Sequence, residues 1–280
     1  MWIWYLLMVV AAIILLLAFA VLPGRRRNTT PFDKTLYAHR GLHTGDGRIP
    51  ENSIAAFAAA AKAGYGVELD IQFTADRQIV VFHDSDLKRM CDIDKRVDEV
   101  TYDELKELTL LESDQHIPLL SEALEVLNGA TLLCELKAAR VHTDLSLCEA
   151  ALPLLNGYKG AVCIESFNPL MVRWFRKHAP GYIRGILSKR FEKGEVAPAL
   201  RFPLTSLFVN WLCRPDFIAY QHTDHAQPFF RLCRLFRPMT VAWTVTSANE
   251  AQTAQKHFDT VIFEGYLPEK TQSKTFSKKL

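Results

Sequence analysis

At 280 residues, 49% hydrophobic and 23% charged, the chain has room for one barrel-sized domain and is too apolar for an intrinsically disordered protein. Its formal net charge of +2 excludes the concentrated basic field of a dedicated nucleic-acid binder, so no nucleic-acid partner is expected. The six cysteines, at 91, 134, 148, 163, 213 and 233, form no CxxC pair and offer neither a zinc site nor a disulfide framework.

Residues 1–22 carry no charged side chain. As a helix rising about 1.5 Å per residue they reach about 33 Å, enough for a bilayer core. Trp2, Trp4 and Tyr5 stand at one end, where amphipathic rings favour the interface, and Arg25, Arg26 and Arg27 follow the other. A cleaved signal peptide competes, because Ala18-Phe19-Ala20 resembles a cleavage site. No Lys or Arg precedes the apolar run and the run is long, so a retained transmembrane anchor is favoured. The arginine cluster then places everything after it in the cytoplasm, giving a single-pass protein of the cell membrane with a cytoplasmic catalytic domain. Residues 23–34 read as a short linker, with Pro23-Gly24 ending the apolar helix.

From residue 35 to about 268, apolar runs alternate with helical stretches. Strands are expected at 35–39, 66–73, 79–82, 131–136, 160–166, 182–187, 204–210, 239–245 and 259–264. Helices are expected at 52–63, 121–128, 144–156, 169–178, 228–237 and 249–257. Asn52-Ser53 offers a cap to the alanine-rich helix that Gly64 ends, and Asn249 opens the last one. Strands alternating with helices of this length predict an α/β fold with a parallel sheet closed into a TIM (β/α)8 barrel. Nine runs compete for eight places, so one pair is expected to share a bent strand. The charged stretch 85–117 breaks the alternation and reads as a small insertion at one rim. Arg231, Arg234 and Arg237 give the 228–237 helix a basic face, read first as solvated and second as a surface for anionic lipid. The basic tail, 269–280, adds Lys274, Lys278 and Lys279 to that second reading. Nothing in the sequence fixes an oligomeric state.

Polar residues gather at the ends of the expected strands: His39-Arg40, Glu68 and Asp70, His83-Asp84, Glu135 and Lys137. Carboxyl ends of barrel strands share one mouth, where catalytic groups belong. Because a strand has period two, Glu68 and Asp70 share a face, and so do Glu135 and Lys137. Three carboxylates converging there disfavour full ionisation unless a cation joins them, and an all-oxygen set suits Mg²⁺ or Ca²⁺. Singly, Glu-x-Asp on an edge is a solvated face, a strand-end histidine is structural and Asp84 caps a turn. Four strand ends doing this together outweigh those readings.

His39-Arg40-Gly41, Pro50-Glu51-Asn52-Ser53, Glu68-Leu69-Asp70, His83-Asp84, Glu135-Leu136-Lys137 and Trp243-Thr244-Val245 resemble, in order and spacing, the motif series of the glycerophosphodiester phosphodiesterase family. The resemblance implies a barrel over 35–268, hydrolysis of a small-molecule or lipid-derived phosphodiester, and one divalent cation held by Glu68, Asp70 and Glu135. It implies His39 and His83 as the acid–base pair, Arg40 and Lys137 on the phosphoryl group, and Glu51 and Trp243 shaping the pocket. Lysophospholipase D action and an inactive membrane-bound barrel are the alternatives; a phosphoinositide-type phospholipase C fits the motifs less well. Two departures, Thr246 after Trp243-Thr-Val and Phe263-Glu264-Gly265 in the last strand, are expected on the substrate side, away from the metal and histidine motifs.

Overall fold

A computed structural model describes residues 1–24, 28–138 and 143–269; Arg25–Arg27 and the basic residues of the tail lie outside the described residues. Eight parallel strands close into a barrel: β1 (Tyr37–Ala38), β2 (Gly66–Phe73), β4 (Leu132–Leu136), β5 (Val162–Ser166), β6 (Ile183–Ser188), β7 (Phe217–Gln221), β8 (Met239–Val245) and β9 (Thr260–Phe263), with β1 pairing both β9 and β2. The ninth strand, β3 (Ile79–Val81), does not share a bent strand as expected. It folds back antiparallel on the end of β2, with Ile71 opposite Val81 and Phe73 opposite Ile79.

Alternation along each strand sorts residues between two cores. Tyr37, Leu133, Cys163, Ile183, Leu187, Phe217, Ala219, Met239, Val241 and Ile262 fill the barrel interior. Their chain neighbours, among them Ala38, Leu132, Cys134, Ile164, Ile186, Ile218, Ala242 and Val261, face the surrounding helices. Gly185 belongs to the inner set, and a Cβ there would lie 2.1 Å from the Phe217 ring, so only glycine fits beside that aromatic plug. Phe32, from the stretch read as linker, joins the same inner cluster.

The stretch 204–210 is not a strand. It lies in the helix Pro198–Thr205 and the turn into the helix Asn210–Cys213, and Phe217–Gln221 takes the sixth barrel place instead. Short apolar runs look alike in either state, and here Leu204 and Leu207 are buried at helical spacing. The helix Ile54–Ala63 is capped by Ser53, which accepts from the Ala56 N–H, and ends at Gly64 with φ 72°. The last helix, Ala248–Ala254, is capped by Ser247 rather than opened by Asn249. The helix expected over 228–237 ends at Arg234, so Arg237 is not on its face. The insertion has its own apolar cluster, with Leu87, Met90, Val97, Val100, Leu105, Leu110 and Ile117 packed on Val80 and Phe82.

Trp2–Val21 is one helix long and apolar enough to cross a membrane. Its last turn packs on the barrel. The Asn210 amide donates to the Val21 carbonyl at 2.9 Å, and Arg214 donates to the Leu22 carbonyl at 2.8 Å. The same guanidinium lies 4.4 Å from the centre of the Phe19 ring. Carbonyls that a helix C-terminus leaves unsatisfied are thus met by side chains of the barrel.

Candidate active site

Parallel pairing of β2 and β4 sets Asp70 opposite Glu135, and the strand period adds Glu68 on the same inner face. All three carboxyls are buried, and one oxygen from each lies within 4.8 Å of the others. Burial, together with the charges of Asp70 and Glu135, pushes the Glu68 carboxyl well above the usual range, and Glu135 is also raised, by burial first. Burial works the same way on Asp70, but Lys137, His83 and Arg40 outweigh it and hold that carboxyl well below. Lys137 Nζ sits 2.9 Å from both Asp70 and Glu135. Mutual repulsion among buried oxygens with no thiolate or imidazole between them is the donor chemistry of a hard divalent cation, so the residues fit one.

Arg40 shapes the near wall. With φ 54° it takes a left-handed conformation that costs a non-glycine residue about 1–2 kcal/mol, and its N–H then donates to Glu68 at 3.0 Å. The turn needs Gly41 next, since a Cβ there would lie 2.8 Å from Ala56 Cβ. The Arg40 guanidinium donates to Glu51 at 2.7 Å and lies 3.6 Å from Asp70. Arg89, from the insertion, grips Glu51 with bonds of 2.9 and 2.6 Å. Asn52, expected as a helix cap, instead donates to Asp70 at 2.9 Å.

Each histidine is held at Nδ1 by a carboxylate: His39 by Glu264 at 2.6 Å and His83 by Asp84 at 2.7 Å. Bonding to His39 holds the Glu264 carboxyl at about 2 despite partial burial. Asp84 also lies well below the usual range, because the bonds from His83 and Arg89 overcome its burial. Ionised carboxylates only accept, so both imidazoles donate from Nδ1, which leaves Nε2 for another partner. Burial lowers the His39 pKa, with Glu264 opposing.

Of the sequence-predicted residues, Arg40, Glu51, Glu68, Asp70, Glu135 and Lys137 are joined by hydrogen bonds and ion pairs, and His39 and His83 stand close enough to exchange electrostatic influence with Asp70. Trp243 stands on the far wall of the mouth, edge-on to Phe167 with ring centres 5.6 Å apart. A cavity of about 250 Å³ runs past His83, Glu135, Lys137 and Phe167. A larger cleft, about 760 Å³, lies at the other end of the barrel against Lys34, Tyr65, Asn128 and Thr131, away from the carboxylates.

Two expectations need correcting. His83 does not follow a barrel strand; the antiparallel β3 delivers it, and the Phe82 N–H bonds the Asp70 carbonyl. Glu264 is not remote from the histidine motifs: β1 pairs with β9, which puts it on His39. Its signal was a charged residue ending the last strand, visible but assigned to the substrate side. Thr246, the other departure, donates twice to Glu250 at 2.7 and 2.9 Å and serves a helix start. Arg89 gave no signal of a site role, and Asn52, though inside the Pro50-Glu51-Asn52-Ser53 motif, was read as a helix cap. His43, whose Nε2 lies 3.7 Å from the second Glu264 oxygen, was likewise passed over. Glu165 was read only as part of a strand. It is buried, pushed well above the usual carboxylate range by burial and by Glu68, and its Oε2 has no hydrogen-bond partner among the described residues.

A glycerophosphodiester phosphodiesterase of Caldanaerobacter subterraneus subsp. tengcongensis is 33% identical over 180 residues, covering 59% of this chain and 72% of the relative. The crystal structure of a glycerophosphodiester phosphodiesterase from Parabacteroides distasonis superposes with a TM-score of 0.65 at 25% identity, covering 87% of this chain and 97% of that one. A phosphodiesterase from Oleispira antarctica, solved with its product sn-glycerol-3-phosphate, shares the fold with a TM-score of 0.66 at 23% identity, covering 87% of this chain and 95% of that one. The profile of the glycerophosphoryl diester phosphodiesterase family matches residues 39–257, from the first histidine of the mouth to the last barrel helix, and the chain belongs to that family.

Proposed function

We propose that this phosphodiesterase hydrolyses glycerophosphodiesters to glycerol 3-phosphate and an alcohol, with a divalent cation at Glu68, Asp70 and Glu135 and with His39 and His83 moving the protons. The observation that carries the reading is the pair of imidazoles. Each is locked at Nδ1 by its own carboxylate, and both stand in the mouth that holds the buried carboxylate triad. When bound, a cation there supplies Lewis-acid stabilisation of charge gathering on the phosphoryl oxygens. Lys137 stays protonated, because Asp70 and Glu135 outweigh its burial and raise its pKa, and with Arg40 it adds fixed positive charge to the same oxygens.

In the reaction a new P–O bond forms to the nucleophile as the P–O bond to the alcohol breaks. One Nε2 takes the nucleophile's proton and the other Nε2–H protonates the leaving oxygen. The nucleophile is water, or the glycerol hydroxyl neighbouring the phosphate, whose attack gives a cyclic phosphate that water then opens. Trp243 and Phe167 line the side where the alcohol departs, and Glu51, bridged by Arg40 and Arg89, holds the near wall.

Lysophospholipids are the second substrate class. Supporting them is the helix Trp2–Val21, which we infer spans the membrane and keeps the barrel on its cytoplasmic side, with its last turn packed on Asn210 and Arg214. The test is a panel of glycerophosphocholine, glycerophosphoethanolamine, glycerophosphoglycerol and lysolipids, each with and without chelator. Turnover is expected to vanish on chelation and to return with Mg²⁺ or Ca²⁺. Turnover that survives full chelation sinks the cation reading, and a panel with no substrate at all favours the inactive barrel.

A further inference from the structure

On β5, parallel pairing places Glu165 directly opposite Glu135 of the triad. Cys163, two residues earlier, packs in the barrel interior, while Ile164 packs outside against the helices. Glu165 shares the face of Cys163, so its carboxyl points inward, toward the carboxylates. It is 1% exposed, and its Oε2 meets no hydrogen-bond donor among the described residues. A core position of this kind is ordinarily apolar, and a carboxyl kept there needs a partner for its oxygens. Glu68, Asp70 and Glu135 are the set whose oxygens lie within 4.8 Å of one another, and Glu165 stands beside that set on the adjoining strand. Counted together and ionised, they are four carboxylates against the two cations Lys137 and Arg40. The surplus of two negative charges is what one divalent cation balances.

We propose that Glu165 adds a fourth carboxylate charge beside the cation site and biases that site toward Ca²⁺ over Mg²⁺. The inference rests on the cation reading of the triad given above. Ca²⁺ gathers six to eight oxygens and tightens as carboxylates are added, whereas Mg²⁺ keeps several waters and uses one or two carboxylates. An added acidic side chain on the neighbouring strand therefore serves the larger ion more than the smaller.

The experiment is calorimetric titration of the full chain in detergent, stripped of metal, with CaCl₂ and separately with MgCl₂. The unaltered chain is compared with Glu165→Gln and Glu165→Asp. Glu165→Gln is expected to weaken Ca²⁺ binding by about tenfold to a hundredfold, the usual effect of losing a residue that supports a metal site, and to weaken Mg²⁺ binding less. Glu165→Asp, which keeps the charge on a shorter arm, is expected to fall between and gives the same comparison if the glutamine variant does not fold. Ca²⁺ affinity unchanged in the variants, or lost equally with Mg²⁺ affinity, overturns this inference alone. An unaltered chain that binds neither ion overturns the cation reading itself.

Discussion

The two histidines of the mouth are held alike and built differently. His39 takes its carboxylate from Glu264, 225 residues along the chain, and the contact exists only because β9 closes the barrel against β1. His83 takes its carboxylate from the next residue, Asp84, which Arg89 of the insertion braces at 2.6 Å. Their settings differ too, since the His39 side chain is 16% exposed and that of His83 33%. One imidazole orientation is thus reached through global topology and the other through local sequence plus an inserted segment. Damage to barrel closure falls on the first, and damage to the insertion on the second.

Removing either imidazole is the harshest way to test that parity. His39→Ala and His83→Ala are each expected to lower kcat by about 10²–10⁴-fold, the contribution of a positioned acid or base, with melting temperatures near that of the unaltered chain. Full activity in both variants, measured on glycerophosphodiesters, refutes the acid–base pairing. Next in size is Glu264→Gln, expected to cost about 10- to 100-fold, as loss of an orienting partner does. Its pH profile carries the sign. The Glu264 charge opposes the burial that lowers the His39 pKa, so without it that pKa falls further and the limb belonging to His39 moves to lower pH. A limb that stays in place, or moves up, breaks the proposed coupling.

Asp84→Asn tests the local partner, and a smaller loss than for Glu264→Gln is expected, because His83 is the more exposed of the two. Arg89→Ala should have the smallest effect, within about tenfold, since it acts through Asp84 and Glu51, whose other partners remain. An Arg89 variant as impaired as His83→Ala would mean that the insertion does more than brace the mouth.

Much of this arrangement was legible beforehand, for a physical reason. Period-two alternation puts Glu68 with Asp70 and Glu135 with Lys137 on common faces wherever they are strands, and the inner cluster bears out that parity. The cap at Ser53 and the stop at Gly64 are local events, readable from a few residues. The misplaced seventh strand shows the limit. A short apolar run such as 204–210 has no period long enough to choose helix or strand, and packing of Leu204 and Leu207 decided it.

By itself, then, the sequence determined which polar side chains stand at the strand ends and that a parallel barrel would gather them, because composition and alternation are properties of neighbouring residues. Only the tertiary structure decided that Glu264 orients His39, that β3 turns back to deliver His83, and that Arg89 and Asn52 reach Glu51 and Asp70. Those pairings depend on which strand closes on which and on where an inserted segment lands. Such distances are set by folding of the whole chain, and no local pattern encodes them.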